Sequence, residues 1–170
     1  RETTGGGAIY VYDGSLTIKN VTFTGFTIPG ADNNASAIIR QNSPSTGVTL
    51  DNVTLSNNNV TYVLWLTKDA TAIKNSVITG NTTSKSLIYC DGAQTFTAQN
   101  NKFESNTVGG NGVVQVASNV NGVFKDNTFK SNIVGTTSTA NAAVVYCSGK
   151  SDLQNNLFIS NTITSKSENK

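Results

Sequence analysis

The chain of 170 residues contains no His and no Met, one Trp, two Pro and two Cys, and only 13% of its residues are charged. The absence of His removes the side chain that most often performs acid–base catalysis near neutral pH. The two Cys show no CxxC spacing, and two thiols without His make a poor zinc site. We therefore expect no catalytic residues, no metal and no cofactor.

Strong charge and long apolar runs are also missing. Twelve basic residues stand against 10 acidic ones, which gives a formal net charge of +2. This charge is too weak to form an electrostatic footprint for nucleic acid or for an anionic membrane. No apolar run approaches the roughly 20 residues that cross a bilayer. We expect no nucleic-acid partner and no membrane insertion by this segment.

Small hydrogen-bonding residues are abundant instead, with 23 Asn, 24 Thr and 17 Ser. These types disfavour helix interiors and prefer strands, turns and caps, so an all-helical fold is excluded. A repeated frame organises them, and its first positions are separated by 32, 23, 25, 26 and 29 residues. The frame begins at Asn20, Asn52, Asn75, Asn100, Asp126 and Asn155.

Other positions of the frame repeat as well. Three positions after the first residue of each frame the side chain is apolar: Phe23, Leu55, Ile78, Phe103, Phe129 and Phe158. Two positions before the first residue it is apolar as well: Ile18, Leu50, Ile73, Ala98, Phe124 and Leu153. Six positions after the first stand Phe26, Asn58, Asn81, Asn106, Asn132 and Asn161. A second apolar segment precedes each frame. One unit cannot bury its apolar face alone, whereas units stacked at about 4.8 Å would bury matching columns in one core.

The repeats predict an all-β fold, a right-handed parallel β-helix of about six coils that forms a single domain over residues 1–170. We expect this domain to be part of a longer solenoid or a unit that assembles end to end, because open coils expose unpaired strand edges. Asn recurs at the first position of the frame and again six positions later. Asn tolerates the left-handed backbone of a sharp turn, and its side-chain amide can hydrogen-bond to the equivalent amide one coil away. We predict an asparagine ladder in both columns.

The segment GGGAIYVYDGSLTIKNVTFTGFT, residues 5 to 27, resembles the GGAI…FxxN repeat of chlamydial polymorphic outer membrane proteins and of adhesin-like surface proteins. Later units keep the FxxN half, as in Phe103 to Asn106, Phe129 to Asn132 and Phe158 to Asn161, without the paired Gly. The resemblance implies a β-helix in a protein at the cell surface or outside the cell.

An aromatic column runs through the second apolar segment. It consists of Tyr10, Ile39, Trp65, Tyr89, Gln115 and Tyr146, beside the aliphatic residues Ile9, Ile38, Leu64, Ile88, Val114 and Val145. Strand alternation would turn the aromatics outward if the aliphatics are buried. Tyr10, Trp65, Tyr89 and Tyr146 are then candidates for binding a sugar or a protein. The opposite orientation stays open, and Arg40 would face inward in the frame that buries Ile38.

The remaining candidates are thiols and glycosylation sites. Cys90 and Cys147 share a column with Val116 between them, so they should lie two coils apart, about 9.6 Å. Disulfides need Cα atoms within about 7 Å, and we predict two free thiols. Among the N-x-Ser/Thr sequons, Asn34 and Asn59 are the better acceptors because they lie closer to predicted loops.

Three functions fit this pattern. The preferred one is a non-enzymatic, extracellular surface β-helix, adhesin-like or fibrous, that contacts copies of itself, other surface proteins or glycans. The second is a polysaccharide-active enzyme or a carbohydrate-binding module, although the acidic residues scatter over unrelated columns and glycoside hydrolysis needs two carboxyl groups on one face. The third is ice binding, prompted by an outward column of Thr17, Thr49 and Thr97, which Ala72, Val123 and Asp152 interrupt.

Overall fold

The computed structural model describes residues 7–28, 37–42, 46–67, 70–92, 95–135 and 142–164. These residues form short β-strands and turns without an α-helix. Accordingly, the described part of the chain offers no helix that is long and apolar enough to cross a membrane. Residues 29–36, 43–45 and 136–141, where the repeat varies in length, lie outside the described residues.

The strands belong to four parallel sheets, which we name A to D in the order in which the chain visits them. Sheet A contains Ile9–Val11, Ala37–Gln41, Tyr62–Leu66, Ile88–Cys90, Gly112–Val116 and Ala143–Cys147. Sheet B contains Ser15–Lys19, Gly47–Asp51, Thr71–Lys74, Thr95–Gln99, Asn121–Lys125 and Ser151–Gln154. Sheet C contains Thr22–Thr24, Thr54–Ser56, Val77–Thr79, Lys102–Glu104, Thr128–Lys130 and Leu157–Ile159. Sheet D contains Asn59–Val60, Thr82–Thr83, Thr107–Val108, Ile133–Val134 and Thr162–Ile163, and Thr27 adds an isolated bridge to Asn59.

Each coil supplies one segment to each sheet, and consecutive coils are neighbours in every sheet. All pairings between them are parallel, and the register joins equivalent positions of successive repeats; Phe103, for example, pairs with Ile78 on one side and with Phe129 on the other. The predicted parallel β-helix of six coils is confirmed.

The core consists of the predicted apolar columns. Phe103, Phe129 and Phe158 stack face to face, with ring centroids 4.7 and 4.9 Å apart and interplanar angles of 6°. This separation equals the spacing of hydrogen-bonded strands, so the coil repeat itself sets the ring stack. Phe96 and Phe124, in the column of sheet B, are also fully buried.

Each coil turns twice through a residue with positive φ. The first such turn uses the predicted first position, namely Asn20, Asn52, Asn75, Asn100, Asp126 and Asn155, with φ between 51° and 59°. The second uses Gly25, Asn57, Gly80, Ser105, Ser131 and Ser160. Asn, Asp and Gly tolerate this left-handed conformation well. The two turns separate sheet B from sheet C and sheet C from sheet D.

In the second to fifth coils a buried residue follows each turn, and the second turn leads into a continuous asparagine ladder. The amide nitrogen Nδ2 of Asn81 donates to Oδ1 of Asn106, at 3.0 Å, and Nδ2 of Asn106 donates to Oδ1 of Asn132, at 2.9 Å. Each Nδ2 also donates to a carbonyl of the preceding coil, and each Oδ1 also accepts from a backbone N–H. The ladder in the predicted second column is therefore confirmed; it joins Asn58, Asn81, Asn106, Asn132 and Asn161.

The first column forms the predicted ladder only in part. Nδ2 of Asn52 donates to Oδ1 of Asn20, and Nδ2 of Asn100 donates to Oδ1 of Asn75. Nδ2 of Asn75, however, donates to Asp51 instead of to Asn52, and Asn20, Asn52 and Asn100 are exposed. The side chains of a left-handed turn point into solvent, so this column forms a discontinuous surface row. The buried ladder belongs to the following residues, Ser76, Asn101, Asn127 and Asn156, which bond in the same way from coil to coil.

The last described coil is less buried than the others. Phe158 is 45% exposed, whereas Phe129 one coil earlier is fully buried. Leu153 and Ile163, which continue the other core columns, are similarly exposed. Every coil thus depends on its neighbours to cover its apolar side chains.

Candidate functional site

Aromatic residues divide sharply between the inside and the outside of the helix. All five Tyr and the single Trp lie on the strands of sheet A or, in the case of Tyr12, directly after one. None of the seven Phe belongs to sheet A, and they pack in the core columns. Tyr and Trp carry a polar group that needs water or a partner, and Phe does not. We call the outer surface of sheet A formed by Tyr10, Arg40, Tyr62, Trp65, Tyr89, Gln115 and Tyr146 the aromatic face.

The register corrects one member of the predicted aromatic column. Tyr10 pairs with Arg40, and Arg40 pairs with Trp65, whereas Ile39 pairs with Ile9 and Leu64. Arg40 therefore occupies the place assigned to Ile39. The orientation of Arg40 was left open, and its pairing with Trp65 gives the outward one although Ile38 is buried. The segment that joins the first two coils is longer than those that join later coils. The repeat frame therefore could not decide whether Ile39 or Arg40 pairs with Tyr10.

From the third coil onward the predicted column holds. Trp65 pairs with Tyr89, Tyr89 with Gln115, and Gln115 with Tyr146. The neighbouring Leu64, Ile88 and Val114 are fully buried, whereas Trp65, Tyr89 and Gln115 are half-buried. The aliphatic column therefore faces the core, and the aromatic column faces outward.

Tyr62 joins this face, although the sequence frame did not place it there. The N–H groups of Val63 and Leu64 both donate to the carbonyl of Leu87, so that two residues oppose one, as in a β-bulge. The bulge brings Tyr62 to the same side as Trp65, three positions later. The ring centroids of Tyr62 and Trp65 lie 5.3 Å apart, and those of Tyr62 and Tyr89 lie 5.7 Å apart.

Arg40 lies between two of these rings. Its Cζ is 4.4 Å from the ring centroid of Trp65 and 5.9 Å from that of Tyr10, within the range of cation–π attraction. Only 9% of its surface is exposed. Three buried donor groups at this place have no hydrogen-bond partner, namely Nε and Nη1 of Arg40 and Nε1 of Trp65. Nε2 of Gln41 is also unpaired, but Gln41 lies on the core-facing side of the strand, where it pairs with Val11.

Other polar groups of the aromatic face are bonded. Nδ2 of Asn42 donates to the hydroxyl oxygen of Tyr10 at 2.9 Å, and the hydroxyl of Ser86 donates to Oε1 of Gln115 at 2.7 Å. Burial, together with the charge and the hydrogen bond of Asp91, raises the pKa of Tyr89 to about 12. The pKa of Tyr62 is also raised, mainly by burial and further by Asp91. Asp91 thus lies beside the aromatic cluster.

The two thiols lie as the sequence predicts. Cys90 pairs with Val116, which pairs with Cys147 in the next coil, and both cysteines are free. Cys90 is fully buried, and burial raises the pKa of its thiol well above the ordinary value. Such a protonated, inaccessible thiol is a packing residue.

The described carboxylates are distributed over several sheets. Asp51 pairs in register with Lys19 and Lys74 on sheet B, and Glu104 pairs with Lys130 on sheet C. No cluster of three or more His, Cys, Asp or Glu that could hold a metal ion occurs within the described ranges. A shallow cavity at the corner between sheets A and B lies near the end of the helix and carries no carboxylate; its lining is Ser118, Asn119, Val120, Asn121 and Lys150.

The glycosylation candidates have different outcomes. Asn34 lies outside the described residues. Asn59 is exposed, begins the short strand Asn59–Val60 two residues after the turn at Asn57, and donates its N–H to the carbonyl of Phe26. Its glycosylation stays a prediction. The Thr column of sheet B has the predicted register, from Thr17 and Thr49 through Ala72 to Thr97.

A family model described as right handed beta helix region matches residues 5–169. The match covers nearly the whole chain and agrees with the predicted handedness. No curated protein and no solved structure gives a significant match to the chain.

Proposed function

Since the chain belongs to the family of right-handed β-helix regions, we propose that it is a non-enzymatic, adhesin-like protein of the cell surface that binds glycans or other surface proteins through its aromatic face. The observation that carries this proposal is the location of the Trp and of four of the five Tyr on the strands of one sheet, with Tyr12 directly after such a strand. The resemblance of residues 5 to 27 to the repeats of chlamydial polymorphic outer membrane proteins supports the adhesin-like type.

The aromatic face suits binding for two physical reasons. Tyr62, Trp65 and Tyr89 form one contiguous group of rings, which offers a large apolar area with polar edges. The rings also stand on strands that are hydrogen-bonded on both sides, so little ordering is needed when a partner docks. Clustered aromatics on an outer surface typically mark an interaction site.

Binding to a glycan array and to intact cells tests the proposal. A chain carrying both Trp65→Ala and Tyr89→Ala is expected to bind at least tenfold more weakly, because the central rings are lost. The control is Ile133→Ala, an exposed apolar residue on sheet D, 40% exposed, which should bind like the unaltered chain. Circular dichroism on all variants checks that the fold is retained. Unchanged binding of the double variant would contradict the proposal, as would an unaltered chain that binds neither glycans nor cells.

The non-enzymatic part of the proposal has its own test. Asp51 and Glu104 stand beside Lys residues on different sheets, an arrangement unlike the opposed pair of glycoside hydrolases. Incubation with pectin-like and alginate-like polysaccharides is expected to release no reducing ends and no unsaturated products. Release that persists in repurified protein would replace this proposal with an enzymatic function.

Self-association end to end stays a prediction. The core columns of the last described coil, at Leu153, Phe158 and Ile163, are partly exposed and could be covered by further coils of the same or another chain. Sedimentation velocity over a hundredfold range of concentration measures this association. Particles that grow with concentration support it, and a constant monomer contradicts it.

A further inference from the structure

The aromatic face contains three unsatisfied hydrogen-bond donors at one place. Nε and Nη1 of Arg40 and Nε1 of Trp65 are all buried and unpaired. These atoms belong to neighbouring positions of two adjacent coils, since Arg40 pairs in register with Trp65. Elsewhere in the described chain, buried amides such as those of Asn81 and Asn106 are fully bonded.

A buried guanidinium without an acceptor is costly, because it loses hydration and gains no charge partner. The contacts with Trp65 and Tyr10 supply cation–π attraction, which satisfies the face of the guanidinium and leaves its N–H edge without an acceptor. No described carboxylate forms an ion pair with Arg40. The missing partner is therefore an acceptor with negative charge, and none of the described residues supplies it.

The surroundings narrow the chemistry of this partner. The planar fork of Arg matches the two oxygens of a carboxylate or of a sulfate. Trp65 and Tyr89, on the next two coils, offer ring faces on which a sugar ring can stack, at about 4.8 and 9.6 Å along the axis from Arg40. Asp91 beside Tyr89 disfavours a second anionic group at that end.

We propose that the aromatic face binds an anionic saccharide whose charged group accepts hydrogen bonds from Arg40 while its neighbouring sugar units stack on Trp65 and Tyr89. This inference rests on the proposed function, because it names the ligand class of the same surface. The ligand binds in one orientation, with its charged group at Arg40 and an uncharged sugar ring at Tyr89. Trp65 Nε1 is an additional donor to its oxygens.

The single Trp makes the site observable, since all tryptophan fluorescence of the chain arises from Trp65. Titration with trigalacturonate, a carboxylated probe, is expected to change this emission with saturation, and its methyl ester should bind at least tenfold more weakly. A sulfated trisaccharide without carboxylates, from a carrageenan, forms a parallel arm. The stronger of the two charged probes identifies the charged group. Raising the salt concentration should weaken the binding.

Two substitutions and one chemical control separate the roles of Arg40. Arg40→Gln is expected to weaken binding of the charged probe at least tenfold and to leave binding of the methyl ester unchanged. Arg40→Lys retains the charge but loses the planar fork, so it should restore part of the affinity. The comparison of acid with methyl ester requires no substitution, and it stays decisive even if a variant folds poorly.

The results distinguish this inference from the proposed function. Equal binding of acid and methyl ester, or charged-probe binding that is unaffected by Arg40→Gln, would overturn the anionic-saccharide site and leave a glycan-binding face intact. Failure of both charged probes to bind below about 1 mM would also overturn it, while binding on cells or arrays that depends on Trp65 and Tyr89 would still support the adhesin-like function.

Discussion

Buried polar groups occur in two regions of this molecule. In one region their hydrogen bonds are satisfied, and in the other some donors have no partner. In the turns around sheet C, the amide of Asn106 donates to Asn132 and to the carbonyl of Ile78 and accepts from Asn81. On the aromatic face, Arg40 and Trp65 keep buried donors without partners. The first arrangement recurs in successive coils, whereas the second occurs at one place. Repetition marks what holds the solenoid together, and the exception marks the place where we propose that a ligand binds.

The largest expected effect comes from the interior. Phe129→Ala removes a fully buried ring between Phe103 and Phe158, and we expect the free energy of unfolding to fall by about 4 kcal/mol. Phe158→Ala is the matched control in the same column; because its ring is 45% exposed, a loss of about 1 to 2 kcal/mol is expected. Urea unfolding followed by circular dichroism measures both. Equal losses would show that the end coil is covered in solution.

The second largest loss of stability is expected when the asparagine ladder is broken. Asn106→Ala leaves the N–H and Nδ2 of Asn81 and the carbonyl of Ile78 without their partner, so we expect a loss of about 3 kcal/mol. Asn59→Ala changes an exposed Asn and should remain within about 0.5 kcal/mol. The same urea experiment applies. A loss below about 1 kcal/mol for Asn106→Ala would mean that water replaces the amide.

A substitution of Arg40 on the aromatic face should change the stability less than the substitutions in the core and in the ladder. Arg40→Met removes an unpaired buried charge and keeps much of the side-chain volume, so the stability should stay within about 1 kcal/mol of the unaltered chain or rise. Its thermal unfolding, measured without ligand, is the readout. A loss above about 2 kcal/mol would indicate that Arg40 stabilises the fold and would remove the contrast between the two regions.

The smallest expected effect concerns the titration of one ring. The pKa of Tyr89 is raised to about 12, so the fold favours its neutral form. The associated stability is present below the unfolded value of about 10 and is lost as the pH rises toward 12. Ultraviolet difference titration should show a late ionisation that disappears in Tyr89→Phe and moves to lower pH in Asp91→Asn. An unchanged titration curve in both variants would assign the late step to another group.

The sequence predicted the fold and the core columns, because stacked coils require like residues at like positions. It also separated Cys90 from Cys147 by two coils and placed Asn106 and Asn132 in a ladder. It missed the second buried ladder, although pairs such as Asn100–Asn101 and Asn155–Asn156 carried the signal. Both residues of such a pair are Asn, and only backbone conformation decides that the first turns outward and the second inward.

The arrangement of the aromatic face was less accessible to prediction. Ile39 and Arg40 are adjacent, and a shift of one residue exchanges the buried and the outward position. Tyr62 reaches the face through a bulge that leaves no periodic signal. Both features depend on how the chain crosses the corners between sheets, where the repeats differ in length.

The sequence alone determined that the chain coils into a parallel β-helix, because only stacking in register buries its apolar columns and bonds its Asn amides. Tertiary structure decided which side chains meet between coils, including the placement of Arg40 between Tyr10 and Trp65. The physical reason is that burial and periodicity act on every coil alike, whereas pairing across corners of variable length depends on local backbone geometry.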